Sequence, residues 1–377
     1  MNYQLLCCGD ATELATWSNI PFFLLKAGQS RGLLTSGLAL HPARLLWLRR
    51  MWNLQQWLRT GRPGGFQYSE CFLRALWRQA DLSPSANAQS CRLLSHFPLL
   101  PPRPWPRDCI VSFYIDATTR QVFNAYAAGR RIAPAFQRDV MRRERAGYEA
   151  AKAVITMSDW AADSVCRDYG ISPERVHVVP GGANLDEQAL SNLPKAPLPP
   201  QPSMLKPLRL GFLGKDWERK GGPFILALAE ELQNIGIPSV VRAIGPSAYE
   251  LPAHPCLEPL GFISKSSQMP AFTKELQSWH FGTLFSNTEA FGISNRECLR
   301  LGVPVIGREI GGIPSTFSGK GCGYLFGEHA TPYVVARWVH KQMMPYERYI
   351  EMRSQLATHL LDFSWDAAVH KLQRILY

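Results

Sequence analysis

Long apolar runs are missing from this 377-residue chain. It never reaches the roughly 18 consecutive apolar residues that a membrane-spanning helix needs, so no transmembrane segment is expected. The opening residues, Met1-Asn2-Tyr3-Gln4-Leu5-Leu6-Cys7-Cys8-Gly9-Asp10, lack a basic stretch followed by a long apolar one. They read as a first strand rather than a signal peptide. C-x-x-C pairs are missing too. The nine cysteines are odd in number and scattered, apart from adjacent Cys7 and Cys8. Neither a disulfide framework nor a zinc site follows, and idle thiols in a reducing cytoplasm are the plain reading.

Acidic residues are absent between Glu13 and Glu70, where Lys26, Arg31, Arg44, Arg49, Arg50, Arg59 and Arg62 all fall. This stretch holds much of the formal charge of +11. A field of that sign attracts anionic lipid, polyanionic acceptors or nucleic acid. No helix-turn-helix, zinc-finger or RNA-stacking motif accompanies it, so no nucleic-acid partner is expected. Residues 43–62 are rich in Leu, Trp and Arg. On a helix, Trp47, Met51, Leu54 and Leu58 share one stripe, with Arg49, Asn53 and Gln56 roughly opposite. Two readings stay open. The stripe is buried in the domain's own core, or it lies on an anionic membrane with Trp and Arg at headgroup level. The expected location is cytoplasmic, and on the second reading the inner face of the membrane.

What the chain does contain is alternation. Short apolar runs (Tyr3–Cys8, Cys109–Ile115, Ala153–Met157, Val176–Val179, Leu208–Leu213, Ser239–Ile244, His280–Leu284, Val303–Gly307) are separated by helical stretches such as Arg138–Ala150, Ala161–Tyr169, Pro223–Ile235 and Ser294–Leu301. That pattern predicts an α/β architecture with parallel sheets. Glu187–Lys206 contains Pro194, Pro197, Pro199, Pro200 and Pro202, which suits a semi-rigid linker. Two α/β domains follow, with an inter-domain cleft as the expected ligand site.

Asn287-Thr288-Glu289-Ala290-Phe291-Gly292-Ile293-Ser294-Asn295-Arg296-Glu297 carries two glutamates flanking a turn where a helix begins. A helix N-terminus offers unpaired N–H groups and a positive dipole end, and Gly292 lets backbone approach a phosphate closely. Glu297, about one turn into the helix, can accept from a ribose diol, and Glu289 can reach a sugar hydroxyl. The segment resembles the Glu-x7-Glu motif of retaining GT-B glycosyltransferases of family 4, also called group 1. Leu210-Gly211-Phe212-Leu213-Gly214-Lys215-Asp216-Trp217-Glu218-Arg219-Lys220-Gly221-Gly222 resembles that family's strand and its Arg/Lys-Gly turn. Ser158-Asp159-Trp160-Ala161-Ala162 and Val178-Val179-Pro180-Gly181-Gly182-Ala183-Asn184 resemble the end of its N-terminal domain, and Phe363-Ser364-Trp365 the start of its closing helix.

The resemblance implies two Rossmann-like domains facing a cleft. Residues 1–186 would form the acceptor domain, 187–206 the linker, 207–360 the nucleotide-sugar domain, and 361–377 a helix crossing back. It also implies transfer of a hexose from a UDP- or GDP-linked donor to a glycan or lipid-linked saccharide, without cofactor or metal. Arg219 and Lys220 would pair with the diphosphate, alongside Gly214 in the same turn. The Phe291, Gly292 and Ile293 backbone, with Ser294, would hold the distal phosphate. Glu297 would bind the ribose and Glu289 the donor sugar. Ser18 and Asn19 stand where the family has a glycine-containing loop near the donor. Asn19 departs from the family's Trp-Ser-Gly-Thr-Pro pattern and replaces the glycine that would let backbone approach a phosphate closely there. Ser315 departs from the Glu that follows Gly-Gly-Ile-Pro in many relatives. Asp116 either faces the transferred sugar or serves as a helix cap or turn residue. A catalytically silent glycan- or membrane-binding module on the same fold is the alternative, and a GT-B nucleotide-sugar epimerase a chemical rival.

Overall fold

The alternation of apolar runs and amphipathic helices produces two units, Met1–Pro180 with Ala368–Tyr377, and Gly181–Ala367. The computed structural model describes residues 2–80, 91–100, 109–192 and 197–377.

Unit 1 is built on six parallel strands: β1 (Tyr3–Leu6), β2 (Leu34–Leu38), β3 (Cys91–Ser95), β4 (Cys109–Ile115), β5 (Val154–Thr156) and β6 (Val176–Val178). Their order across the sheet is β2-β1-β3-β4-β5-β6. Its helices are α1 (Ile20–Ser30), α2 (Leu46–Thr60), α3 (Glu70–Trp77), α4 (Thr119–Ala125), α5 (Pro134–Ala150) and α6 (Asp159–Arg167). The core lies between sheet and helices, where Leu93, Val111, Phe113, Val140, Tyr148 and Val154 are buried together. Each such side chain contributes roughly 1.5–3 kcal/mol of burial.

Unit 2 begins with the short helix α7 (Glu187–Ser191), capped by Asp186, whose carboxylate accepts from the Gln188 and Ala189 amides. Its strands are β7 (Leu208–Leu213), β8 (Ser239–Ile244), β9 (Leu257–Gly261), β10 (Phe281–Leu284), β11 (Val305–Arg308) and β12 (Gly323–Phe326). They are ordered β12-β11-β10-β7-β8-β9, all parallel. The helices that follow α7 are α8 (Gly222–Asn234), α9 (Met269–Gln277), α10 (Ile293–Arg300), α11 (Pro332–Met343) and α12 (Glu347–Ala357). The last helix, α13 (Trp365–Leu376), starts in unit 2 and returns the chain to unit 1. There the Leu376 carbonyl accepts from Tyr3 Oη at 3.3 Å and from Lys152 Nζ.

The Pro-rich stretch, expected as a linker, is tied into unit 2. His280 Nε2 donates to the Pro200 carbonyl at 2.9 Å while its Nδ1 accepts from the Arg209 amide. Burial pushes the His280 pKa down to about 4, so the ring is neutral and holds one tautomer. The Pro199 carbonyl accepts from Tyr346 Oη. Pro194 lies outside the described residues.

In each sheet the strand order reverses once, between β1 and β3 in unit 1 and between β7 and β10 in unit 2. The loops leaving the carboxyl ends of these strands diverge there and open a crevice, the usual ligand position in doubly wound sheets.

Candidate functional site

At the unit 2 reversal, the loop after β7 meets the loop after β10. The first loop is a tight turn. The Lys220 amide donates to the Asp216 carbonyl at 3.1 Å, and the Gly222 amide to the Trp217 carbonyl at 2.8 Å. Asp216 also accepts from the Arg219 amide at 3.0 Å and from Arg219 Nε at 3.2 Å. A Cβ at Gly214 would lie 2.3 Å from Lys220 Cδ, so glycine there leaves the lysine its path.

The second loop supplies Glu289. Its Oε2 lies 3.2 Å from Lys220 Nζ and 3.3 Å from Arg219 Nη1, and accepts from Ser286 Oγ at 3.3 Å. Arg219 Nη1 also donates to the Thr288 carbonyl at 3.0 Å. Side-chain exposures of 13% for Glu289 and Lys220 and 29% for Arg219 keep the cluster largely out of bulk water. Gly311 supports it from below. A Cβ there would come within 2.0 Å of the Glu289 carbonyl, which accepts from the Gly312 amide at 3.1 Å.

Burial works to raise the Glu289 pKa, but the charges of Lys220 and Arg219 and their hydrogen bonds outweigh it, holding the carboxyl below its ordinary value. The sign follows from linkage. A carboxyl depressed in the folded state stabilises the fold above its unfolded pKa of about 4.3, and that contribution is lost as pH falls through the folded value. The melting-temperature gap between wild type and Glu289→Gln is therefore expected to be full near neutrality and to close below about pH 4. A gap constant across that range would contradict the ion-pair assignment.

Gly292 adopts φ 93°, ψ 58° and caps α10 with no side-chain hydrogen bond. The left-handed conformation suits glycine and turns the Ile293 and Ser294 amides outward as uncapped helix donors. Ser294 is buried, and its Oγ has no partner among the described residues. Glu297, further along α10, is 1% exposed and pairs with Lys265 Nζ. Burial raises its pKa against the opposing charges of Lys265 and Lys220, so Lys220 acts on both glutamates. Three cations, Lys220, Arg219 and Lys265, converge with three carboxylates, Glu289, Glu297 and the half-exposed Asp216, beside the positive end of a helix. That arrangement suits an anion carrying more than one negative charge.

In the comparisons, the model of Glycosyltransferase Family 4 matches residues 120–187. The D-inositol 3-phosphate glycosyltransferase of Streptomyces bingchenggensis is 29% identical over 236 residues, covering 58% of this chain and 51% of that protein. D-inositol 3-phosphate glycosyltransferase 1 of Catenulispora acidiphila is 26% identical over 251 residues, 61% of this chain and 58% of that one. The chain thus spans little more than half the length of the curated relatives it matches. Two solved structures align over the whole chain. Sucrose-phosphate synthase from Thermosynechococcus elongatus has a TM-score of 0.65 at 14% identity, covering 100% of this chain and 98% of that one. Anabaena HepE, in complex with UDP and glucose, has 0.60 at 12% identity, covering 100% and 99%. The chain resembles glycosyltransferase family 4 and has its GT-B fold.

The structure thus brings Arg219, Lys220, Glu289, Gly292 and Glu297 of the family motifs into one crevice of unit 2. Arg296 and Asn295, inside the same motif, are structural. Arg296 donates to the Thr316 and Asp362 carbonyls at 3.2 and 2.7 Å, and Asn295 Nδ2 to Thr316 Oγ1 at 3.2 Å. Ser18, Asn19 and Asp116 belong to unit 1. Trp17, Ser18 and Asn19 take positive φ values of 43°, 57° and 69° at its strand reversal. Asn tolerates that region, whereas each of the other two costs on the order of 1 kcal/mol. Trp17 Nε1 donates to the Cys8 carbonyl at 2.9 Å and Asn19 Nδ2 to the Leu14 carbonyl, which lock the turn. The loop borders a cavity of about 480 Å³ lined by Cys8, Asp10, Glu13, Trp17, Leu40 and Ala43, among others. Asp116 follows β4 directly and is not a helix cap. Thr118 caps α4, accepting from the Gln121 amide.

Two residues escaped the sequence reading. Lys265 lies in the loop after β9. His96, at the end of β3, is 3% exposed. Burial lowers its pKa, against the charge of nearby Asp116 and the bond to Tyr114. Its Nδ1 donates to the Tyr114 carbonyl at 2.7 Å, and its Nε2 has no partner among the described residues. The signal available was a histidine separated by Ser95 from the Leu93-Leu94 pair.

Proposed function

We propose that this chain is a retaining glycosyltransferase moving a hexose from a UDP- or GDP-linked donor to a saccharide or lipid-linked saccharide acceptor. The observation that carries the reading is the pairing of Glu289 with Lys220 and Arg219 beside the uncapped N-terminus of α10. Lys220 and Arg219 bind the diphosphate and stabilise the charge that grows as its bond to the anomeric carbon breaks. The Ile293 and Ser294 amides hold the distal phosphate. Glu289 keeps both cations in place and accepts from a donor-sugar hydroxyl. Glu297, steadied by Lys265, accepts from the ribose. The acceptor hydroxyl adds to the anomeric carbon on the face the diphosphate leaves, and its proton passes to the departing phosphate oxygen. The UDP and glucose bound to HepE, a chain of the same fold, support a nucleotide and a sugar as the ligand classes.

Thermal stabilisation by a panel of nucleotide diphosphates and nucleotide sugars tests the donor half directly. A ligand present at about 100 times its Kd adds roughly 2.7 kcal/mol to the folded state. UDP or GDP is expected to raise the melting temperature of the wild type and leave that of Lys220→Ala unmoved. No shift with any member of the panel would overturn the donor site and favour a catalytically silent module on this fold.

A further inference from the structure

The amphipathic segment at 43–62 is not absorbed by the donor reading. In the structure α2 has no buried residue. Leu48 and Trp52 rest against the core of unit 1, with the Trp52 ring 5.4 Å from Phe136 and 6.1 Å from Phe66. The face turned away carries Leu46, Trp47, Met51, Leu54, Trp57 and Leu58, each between 53% and 71% exposed. Trp47, Met51, Leu54 and Leu58 recur at intervals of four, three and four residues, which makes them one continuous stripe. Six large apolar groups on one exposed helix exceed the scattered surface apolar residues of an ordinary monomer.

Charge selects the occupant. Arg44, Arg49, Arg50, Arg59 and Arg62, on or beside this helix, are all exposed, and residues 14–69 contain no acidic side chain. Arg50 falls between Trp57 and Leu54 on the helical wheel, inside the apolar face, and Arg44 and Arg62 stand just beyond the two ends of the helix, while Arg49 and Arg59 lie on its other side. A second copy meeting this face with the same face would bring arginine against arginine with no carboxylate from the segment to offset them. Anionic headgroups over an acyl region match both features, with tryptophan at the boundary. No helix among the described residues is long and apolar enough to cross a membrane.

We propose that the exposed face of α2 is a docking surface for an anionic lipid bilayer, on which the helix lies in the plane of the headgroups. Leu40, His41, Pro42 and Ala43, which wall the cavity at the strand reversal of unit 1, lead straight into this helix. Docking therefore places the rim of that cavity at the lipid surface.

The test is flotation of the full chain, without nucleotide, with vesicles of mixed phosphatidylglycerol and phosphatidylcholine, against phosphatidylcholine alone. Binding is expected to be about tenfold or more stronger on the anionic vesicles and to weaken as salt rises. The triple variant Trp47→Ser/Met51→Ser/Leu54→Ser and the double variant Arg49→Glu/Arg50→Glu are each expected to lose about tenfold, with melting temperatures unchanged because none of these side chains is buried. Three results would overturn the proposal: a wild type that does not float, binding equal in wild type and both variants, or self-association that the triple variant abolishes in a chain that ignores vesicles. The donor panel is independent of all three, so failure here leaves the donor site standing and failure there leaves this surface standing.

Discussion

In a transfer assay with the donor that passes the binding panel, Lys220→Ala is expected to lower kcat about 10²- to 10³-fold and to raise the donor KM. The size follows from where the charge sits. Lys220 Nζ is in a largely dry crevice, 3.2 Å from Glu289 and near enough to act on Glu297. A cation in such a place stabilises charge more strongly than one in water, and it is already oriented when the diphosphate begins to leave. Its removal also leaves Glu289 with Arg219 as the remaining cation of its pair, which takes one positive charge from the crevice that receives the diphosphate. Glu289→Gln separates the two effects. Loss of the carboxylate frees Lys220 and Arg219 for phosphate, so nucleotide diphosphate is expected to bind at least as tightly while kcat falls. Turnover by both variants within a few-fold of wild type, in folded protein, would remove the assigned roles.

The cluster behind this prediction was legible because its chemistry is local in sequence. A glycine turn after an apolar strand, and a Phe-Gly-Ile turn before a helix, are short-range signals. What joins them is the reversal between β7 and β10, and that follows once the strand order is known. Less legible were residues whose environment is non-local. The edge strands β2, β9 and β12 have a neighbour on one side alone, and their sequences (Leu-Thr-Ser-Gly-Leu, Leu-Glu-Pro-Leu-Gly, Gly-Tyr-Leu-Phe) are mixed or short enough to pass as loops. With β9 unrecognised, Lys265 had no place. The interior strand β3, Cys-Arg-Leu-Leu-Ser, is also short, and with it went His96. Helix α2 shows a different limit. Periodicity identified the stripe but not the direction it faces, because Leu48 and Trp52 on another side of the same helix supply the packing.

Glu144→Ala is expected to cost about 3–5 kcal/mol, a fall of roughly 10 °C in the melting temperature of unit 1. In sequence, Glu144 is one charge among Arg142, Arg143 and Arg145 and reads as helix surface. In the fold it is fully buried. It accepts from the Thr119 amide at 2.9 Å, from Tyr148 Oη at 2.7 Å and from Tyr169 Oη. Tyr169 Oη in turn accepts from the Arg120 amide at 3.1 Å. One carboxylate thus serves the first amide of α4 directly, the second through Tyr169, and two buried tyrosines. Alanine would strand the Thr119 amide and both tyrosine hydroxyls, whereas Glu144→Gln keeps one acceptor oxygen and is expected to cost less. Burial raises the Glu144 pKa even against the hydrogen bonds from Tyr169, Thr119 and Tyr148. A raised carboxyl binds its proton more tightly folded than unfolded. Its contribution is therefore fullest below about pH 4.3, and stability declines as pH climbs through the folded value. That is the opposite sign to Glu289, so the two carboxyls are distinguishable in one pH series of calorimetric scans on the wild type, Glu144→Gln and Glu289→Gln. The cluster also braces the turn between β4 and α4 that carries Asp116. Loss of activity in Glu144→Ala at a temperature where the protein remains folded would therefore report displacement of that turn, and full activity there would limit Glu144 to stability alone.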